Sequence, residues 1–156
     1  MDSSDLSSFI GARNISAQII HLPVETPTVA AAAEAVGVRP EQIIKSVLFM
    51  ADGQPVLVVA NGLTRIHRKR LATVLKMSRR RVKIASGEQV LDITGYAVGS
   101  VPPFGHPTPL RTLLDQGVLT ETIVYGGGGE SNALMRLTTT ELQQVVIGQV
   151  VDIADR

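Results

Sequence analysis

Lys45 is the residue whose chemistry fits its neighbours least. It lies in the segment IIKSVLFM, where every position except Lys45 and Ser46 is apolar, a pattern typical of a strand buried on both faces. Burying an unpaired ammonium is costly, so a lysine in such a place is usually paired or functional. The alternative is that Lys45 lies near the start of the strand and extends its ammonium to solvent.

The segment GYAVGSVPPFGHPTPL, residues 95–110, is rich in glycine and proline. It holds four of the chain's eight prolines and three glycines. Pro102 and Pro103 provide no N–H, so any amide donors must come from neighbours such as residues 99–101. Rigid prolines beside free amides suit a loop that holds a carbonyl or carboxylate group. A structural connection between two elements is the other interpretation.

Other arrangements do not favour a metal site or a protein nucleophile. The run GGGGE at residues 126–130 matches neither the P-loop nor the dinucleotide fingerprint, so we expect a turn or a point where a ligand approaches the backbone. His21, His67 and His106 are too dispersed to suggest a metal site, and the chain has no cysteine. No G-x-S-x-G nucleophile elbow is present, which argues against a serine hydrolase.

A basic block lies in the middle of the chain. Nine of the fifteen Lys and Arg residues lie between Arg65 and Lys83, and no acidic residue lies between Asp52 and Glu88. This concentration favours a phosphate-rich partner, although the net charge of the chain is only +1. A solvated helix face is the alternative interpretation of the block.

The whole-chain composition indicates one soluble domain over residues 1–156. Hydrophobic residues make up 44% and charged residues 19%, while aromatic residues make up only 3%, so we expect a core of Val, Leu, Ile and Ala. The absence of cysteine is compatible with a reducing cytosol. The acidic, polar N-terminus does not resemble a secretory signal, and no apolar run is long enough to span a membrane.

Hydrophobic periodicity and turn residues predict the elements that position these groups. Helices are expected over residues 5–13, 27–36, 65–77, 87–94, the first part of 110–119, and 139–147. Strands are expected over residues 17–24, 41–51, 54–62, 80–86, 122–129 and 132–138. Thr138 or Thr139 would cap the last helix, with Glu141 reaching back to the cap.

Local signals mark two of the element boundaries most clearly. Thr26 is the expected N-cap of the second helix, with Pro27 at its first position and Gly37 at its end. Asp52-Gly53 is the strongest hairpin signal of the chain.

Because strands outnumber helices and alternate with them irregularly, we predict an α+β (mixed α/β) fold. We expect a single compact domain with a curved, barrel-like mixed β-sheet flanked by helices.

Several segments occur in an order that resembles the YbaK-type aminoacyl-tRNA deacylases. This family includes the editing domain inserted in bacterial prolyl-tRNA synthetases and its free-standing relatives. The segments are PEQIIKSVLF, ADGQPVLVVANG, TGYAVGSVPPFGH and VYGGGGESNALMRLT, followed by a final helix. The resemblance runs from about Thr28 to the last helix, and its most specific parts are Lys45 and the G-x-x-x-P loop from Gly99 to Pro103.

The resemblance implies a compact α/β domain with a barrel-like sheet and a pocket for an aminoacyl-adenosine. The reaction it implies is hydrolysis of the ester between a wrong amino acid and its tRNA, typically alanine or cysteine on proline tRNA. No metal or organic cofactor is expected. The role of the family's lysine falls on Lys45, a cation that would hold the phosphate of the terminal adenosine or the reacting ester. Water, or a group on the substrate itself, would supply the attack.

The resemblance also carries expectations for the other site residues and for the partners. Substrate contacts are expected from Thr28, Ser46, Gly99, Ser100, Val101, Pro102, Pro103, His106, Gly127 and Gly128. Within the basic block, tRNA contacts are expected from Arg68, Lys69, Arg70, Arg79, Arg80 and Arg81. The expected partner is the acceptor end of a mischarged tRNA in the cytoplasm, with an aminoacyl-tRNA synthetase as a second candidate. Neither a membrane nor DNA is an expected partner.

The chain departs from the family pattern at one position. The domains inserted in prolyl-tRNA synthetases carry a histidine in the segment that matches GESNALMRL, where this chain has Ser131, Asn132 and Ala133. Alanine specificity therefore does not carry over directly, and His106 is the alternative pocket histidine. The sequence contains no synthetase catalytic or anticodon module, so we expect action in trans. The competing hypothesis is a non-catalytic tRNA- or synthetase-binding module of the same fold, which the retained Lys45 disfavours.

Overall fold

The computed structural model describes residues 1–155, which form two β-sheets and five α-helices. The helices are α1 Ser3–Ala12, α2 Val29–Val36, α3 Arg68–Val74, α4 Gly87–Thr94 and α5 Thr139–Val145. The strands are β1 Ala17–His21, β2 Ile44–Ala51, β3 Gln54–Asn61, β4 Val82–Ile84, β5 Arg111–Asp115, β6 Ile123–Gly127, β7 Ala133–Thr138 and β8 Gln149–Val151. Short 3₁₀ helices lie at Pro40–Gln42, Arg79–Arg81 and Gln116–Thr120.

The larger sheet is mixed, with the strand order β4-β2-β3-β5-β8. β2 pairs antiparallel with β3 and β4, whereas β5 runs parallel to both β3 and β8. β2 and β3 form the predicted hairpin, and the positive φ angles of Asp52 (51°) and Gly53 (79°) suit its two-residue turn. The hairpin register places Lys45 opposite Ala60.

The smaller sheet is antiparallel, with the strand order β1-β7-β6. It approaches the larger sheet where Ile43 and Tyr125 form an isolated parallel bridge. A buried apolar cluster joins the two sheets and includes Leu48 of β2, Val124 of β6 and Met135 of β7. A second cluster packs α3 against the larger sheet. The packing therefore fixes β2 between two apolar layers.

The predicted ends of two helices are confirmed, and one predicted start is wrong. Gly37 ends α2 and Gly95 ends α4, both in the left-handed region, with φ angles of 71° and 83°. The N-cap of α2 is Thr28 and not Thr26, because Thr28 Oγ1 accepts a hydrogen bond from the amide of Ala31 at 3.0 Å. The helix thus begins two residues later than the position of Pro27 suggested.

The prediction that residues 110–119 begin as a helix is wrong. Arg111–Asp115 is β5, which pairs with a strand on each side and has no exposed face to produce an alternating pattern. β8 was not predicted. Thr138 caps α5 as expected, but the carboxylate of Glu141 accepts a hydrogen bond from the Ser16 amide at 2.9 Å instead of reaching back to the cap.

The predicted α+β class with a mixed sheet in a single compact domain is confirmed. The strands form two packed sheets and do not close into a barrel. None of the helices within residues 1–155 is long and apolar enough to cross a lipid bilayer. The two sheets and the loops at the edge of β2 together enclose the site described next.

Candidate active site

A cleft of about 350 Å³ opens beside the edge of β2. Its walls come from the start of α2, β2, the end of β4, the loop after α4, and the turn between β6 and β7. Much of the lining is apolar and includes Val90 and Leu134. The cleft brings together six of the residues expected at the site: Thr28, Lys45, Ser46, Gly99, Val101 and Gly127.

Lys45 provides the positive charge of this cleft. Its side chain is half-buried, and its Nζ donates a hydrogen bond to the carbonyl oxygen of Thr64 at 2.5 Å. No carboxylate within residues 1–155 lies at ion-pairing distance from it. Burial lowers the pKa of Lys45, because desolvation penalises the charged form. Since an ammonium has three N–H donors, two of them remain for a ligand.

Ser46 presents backbone groups at the same edge. The amide of Ala85 donates to the carbonyl oxygen of Leu48 at 2.9 Å, so Leu48 directs its backbone groups toward β4. Alternate residues of an antiparallel strand face the same edge, and Ser46 therefore does so as well. β4 pairs only with residues 49–51, and β6 approaches β2 at Ile43. Ser46 lies in the gap between them, with its N–H and C=O toward the cleft.

The loop after α4 provides two further amide donors. Gly99 has a φ angle of 88°, a conformation that residues with a side chain rarely adopt. The hydroxyl and the amide of Ser100 both donate to the carbonyl oxygen of Ala97, at 2.8 and 3.0 Å, and this closes the turn. The amides of Gly99 and Val101 have no hydrogen-bond partner within residues 1–155. Both residues line the cleft.

The glycine run of the β6–β7 turn, residues 126–129, packs directly on this loop. A Cβ atom added to Gly127 would lie 2.3 Å from the carbonyl oxygen of Val101. A Cβ atom added to Gly128 would lie 2.5 Å from the carbonyl carbon of Ala133 in β7. The absence of side chains therefore permits contact between backbones. Gly127 lines the cleft, whereas Gly128 packs behind it.

Three residues expected to contact substrate lie behind the loop. Pro102 and Pro103 are buried, and Pro103 borders a separate cleft together with His106. The neutral imidazole of His106 donates from Nε2 to the carbonyl oxygen of Pro102 at 2.8 Å. Burial lowers the pKa of His106, and the bond to Pro102 only partly opposes this. These residues support the loop from its far side.

Glu130 is a site residue that the sequence analysis did not assign. It is the one acidic residue among the described residues that line the cleft. Its Oε2 atom accepts a hydrogen bond from Ser3 Oγ at 2.7 Å and lies 3.9 Å from Nδ1 of His21. The only signal in the sequence was an acid directly after four glycines. Thr26 and Ser131 are further polar lining residues.

The segment that lacks the expected histidine contributes small groups to the cleft. Ser131 and Ala133 line it, whereas the side-chain amide of Asn132 donates to the carbonyl oxygen of Leu22 at 3.2 Å. The Ser131 hydroxyl donates to Glu25 at 3.1 Å. No histidine of the described chain lines the cleft. The polar side chains in this part of the lining are therefore those of Glu130 and Ser131.

The six residues of the basic block that were expected to contact tRNA divide into two sets. Three guanidinium groups have internal acceptors: Arg68 on the Val82 carbonyl, Arg70 on the Ala154 carbonyl, and Arg81 on the Asp52 carboxylate. Lys69, Arg79 and Arg80 are exposed, and their side chains form no hydrogen bond or ion pair with a described residue. Lys69 and Arg79 border a shallow cleft with Arg65. Of the six residues, these three are therefore the ones whose charge has no partner among the described residues.

Residues 24–145 match the model of the aminoacyl-tRNA editing domain. The chain belongs to this family. The editing-domain region contains all the walls of the cleft, including Lys45, Gly99 and Glu130, and it leaves out α1. The resemblance that was inferred from the strand lysine and the G-x-x-x-P loop is therefore confirmed.

Similar proteins support the same family relation. An uncharacterized protein of Bacillus subtilis, YwhH, is 30% identical over 133 residues, which are 85% of this chain and 83% of YwhH. Proline--tRNA ligase of Desulfotalea psychrophila is 30% identical over 112 residues, which are 70% of this chain but only 19% of the ligase. A crystal structure described as a candidate trans-editing enzyme for prolyl tRNA synthetase superposes with a TM-score of 0.92 and 31% identity, covering 99% of this chain and 97% of that one.

Proposed function

We propose that this protein is a trans-editing deacylase that hydrolyses the ester of a mischarged tRNA. The substrate class is a small amino acid, alanine or cysteine, on proline tRNA. The observation that carries the proposal is that Lys45, Gly99 and Val101 line one cleft, and that the amides of Gly99 and Val101 have no hydrogen-bond partner within residues 1–155. An editing-domain protein that only bound tRNA would not require a half-buried cation beside unoccupied amides.

The arrangement supports ester hydrolysis by stabilisation of charge. The oxygen of a water molecule bonds to the ester carbonyl carbon, and negative charge develops on the carbonyl oxygen. Amides of the loop, together with the Lys45 cation, would stabilise that oxygen or the adjacent phosphate of the terminal adenosine. The bond between the carbonyl carbon and the ribose oxygen then breaks. One proton of the attacking water ends on the ribose oxygen, the other is released to solvent, and the amino acid leaves as its carboxylate.

The cleft also favours a small amino acid. The side chains of Val90, Val101 and Leu134 form apolar wall, and the glycines of the β6–β7 turn bring backbone close to the ligand. The volume of about 350 Å³ has to hold the aminoacyl group together with part of the adenosine. A bulky aminoacyl side chain would compete with the adenosine for this space.

The exposed cations provide a surface for the tRNA phosphates. Lys69, Arg79 and Arg80 flank the strand and loop that bear the cleft, since β4 follows Arg79–Arg81 directly and its end lines the cleft. Phosphate contacts of this kind fix the register of a nucleic acid without reading its sequence. An aminoacyl-tRNA synthetase as partner and a cytoplasmic location belong to the same proposal.

Deacylation of a panel of mischarged tRNAs tests the proposal. We expect the purified protein to release alanine or cysteine from proline tRNA well above the uncatalysed rate and to leave prolyl-tRNA intact. If the protein binds tRNA but releases no amino acid from it, the result would instead support the hypothesis of a non-catalytic binding module. The free-standing neighbour of nearly equal length, described as a candidate trans-editing enzyme, supports action without an attached synthetase.

A further inference from the structure

The cleft contains one cation and one anion among its described lining residues. These are Lys45 and Glu130, and the remaining lining is apolar or neutral. A ligand that carries one positive and one negative group would match this distribution of charge. The end of an aminoacyl-tRNA has that distribution, because an α-ammonium lies on the amino acid and a phosphate lies beyond the terminal ribose.

The carboxylate of Glu130 accepts a hydrogen bond on one of its two oxygens only. Its Oε2 accepts from Ser3 Oγ at 2.7 Å, while Oε1 has no hydrogen-bond partner within residues 1–155. The side chain keeps 38% of its surface exposed. The exposed His21, 3.9 Å from Oε2, is the other polar side chain close to it. Glu130 lines the cleft, and its Oε1 is the carboxylate oxygen without a hydrogen-bond partner among the described residues.

The start of α1 forms the support that orients Glu130. Ser3 is buried, and its hydroxyl holds the carboxylate directly. The neighbouring Gly129, with a φ angle of 95°, packs so closely on this helix start that an added Cβ atom would lie 2.8 Å from the amide nitrogen of Ser3. The Gly129 amide also donates to the carbonyl oxygen of Ser100 at 3.0 Å. One rigid contact thus links the helix start, Glu130 and the substrate loop.

We infer that Glu130 is a specificity residue that binds the α-ammonium of the aminoacyl group. The inference rests on the proposed deacylase function. A carboxylate with a free oxygen is the strongest acceptor for an ammonium donor, and a charge-assisted bond of this kind also orients the ester. With the ammonium on Glu130, the carbonyl would extend toward the amides of Gly99 and Val101.

Acetylation of the amino group removes the ammonium that Glu130 would bind, and the uncatalysed hydrolysis rates of the two esters correct for their different intrinsic reactivity. The probes are the alanyl and cysteinyl esters of proline tRNA and the same esters with an N-acetylated amino group, which cannot be protonated. The measurement is single-turnover deacylation of each free ester and of its acetylated form. We expect the wild-type protein to prefer the free amine by roughly ten- to a hundred-fold, the range expected of a hydrogen bond to a charged group.

Three variants give the comparison its controls. Glu130→Gln removes the charge but keeps an oxygen that can accept from Ser3, so the fold should survive. Its preference for the free amine should fall to the ratio of the uncatalysed hydrolysis rates of the two esters. Glu25→Gln makes the same change on an exposed carboxylate that accepts from Ser131, and it should keep the preference. Ser3→Ala removes the hydrogen bond that orients the Glu130 carboxylate but keeps its charge. This variant should reduce the preference for the free amine only partly.

The outcomes separate the two proposals. If the wild-type protein hydrolyses the free esters and Glu130→Gln keeps its preference for them, the role of Glu130 is wrong while the deacylase function stands. An equal loss of rate on free and acetylated esters in Glu130→Gln would also overturn the role, because it would indicate a structural defect. If the wild-type protein hydrolyses none of the esters, the deacylase proposal fails and the role of Glu130 fails with it.

Discussion

The Ser100 hydroxyl donates its hydrogen bond to the carbonyl oxygen of Ala97, 2.8 Å away, within its own turn. The Ser100 amide donates to the same oxygen at 3.0 Å. Ser100 is therefore committed to closing the turn, and the neighbouring amides of Gly99 and Val101 are the donors that remain.

We predict that Gly99→Val reduces deacylation more than Ser100→Ala does. Valine would be strained at a φ angle of 88°, and the resulting shift would misplace the amides of Gly99 and Val101. Loss of one preorganised donor costs about 2.7–4 kcal/mol of transition-state stabilisation, or roughly 100-fold or more in rate. Single-turnover deacylation measures this loss, and we expect Pro103→Ala to lie closer to Gly99→Val than to Ser100→Ala.

Gly37→Val is the matched control for this comparison. Gly37 also has a positive φ angle, 71°, with no heavy atom within 4 Å of an added Cβ, but it lies at the far end of α2 from the cleft. It should lower the free energy of unfolding without changing the rate of the folded protein. If Ser100→Ala is the most damaging of the loop variants, the loop acts through its hydroxyl and our account of it is wrong.

We predict that the free and the partnered cations of the basic block differ in their effect on tRNA binding. Replacing Lys69, Arg79 and Arg80 by glutamine should weaken binding and flatten its salt dependence by roughly 0.7–0.9 in the log–log slope for each lost phosphate contact. Binding titrations over a range of salt concentrations measure the slope. An unchanged slope would indicate that these cations only solvate the surface.

The partnered arginines provide the comparison for that experiment. Replacing Arg68, Arg70 and Arg81 by glutamine removes the same formal charge, but these guanidinium groups already bind internal acceptors. This variant should change the slope less and lower the melting temperature more. If both triple variants flatten the slope equally, the partnered arginines contact the tRNA phosphates as much as the free cations do.

We predict that His106 makes the stability of the protein sensitive to acid. Burial lowers the pKa of His106 in the folded state below its usual value of about 6.5, so the unfolded chain binds more protons in the window just below that value. Stability should therefore fall as the pH falls through this window, and it should recover at neutral pH. Melting temperatures between about pH 5 and 8 measure the effect. His106→Gln should flatten the profile, whereas an unchanged profile would contradict the prediction.

Local sequence signals were sufficient for the elements that are determined by their own residues. Gly37, Gly95 and Asp52-Gly53 marked boundaries correctly, because positive φ angles favour glycine, aspartate and asparagine wherever the chain lies. Residues 111–115 were mistaken for helix, since Leu110, Leu113 and Leu114 recur at helical spacing. That segment becomes a strand only because β3 and β8 pair with it on both sides, which the segment alone does not reveal.

Local sequence signals also indicated part of the candidate site. Lys45 was conspicuous because a lysine rarely stands in an apolar strand, and the prolines marked the loop. Glu130 was missed, since an acid after a glycine run is typical of a flexible turn and its anchor Ser3 lies 127 residues away in the sequence. The orientation of Ser100 and His106 away from the cleft is likewise a property of the folded loop.

Single-turnover deacylation by Lys45→Met, compared with the wild-type protein, tests the central claim most directly. Methionine keeps most of the apolar stem, so the variant removes the charge with little loss of packing, and circular dichroism checks that the fold survives. We predict that the wild-type protein releases alanine or cysteine from proline tRNA and that Lys45→Met falls about 100-fold or more, toward the uncatalysed rate. Wild-type turnover retained in Lys45→Met would contradict the account.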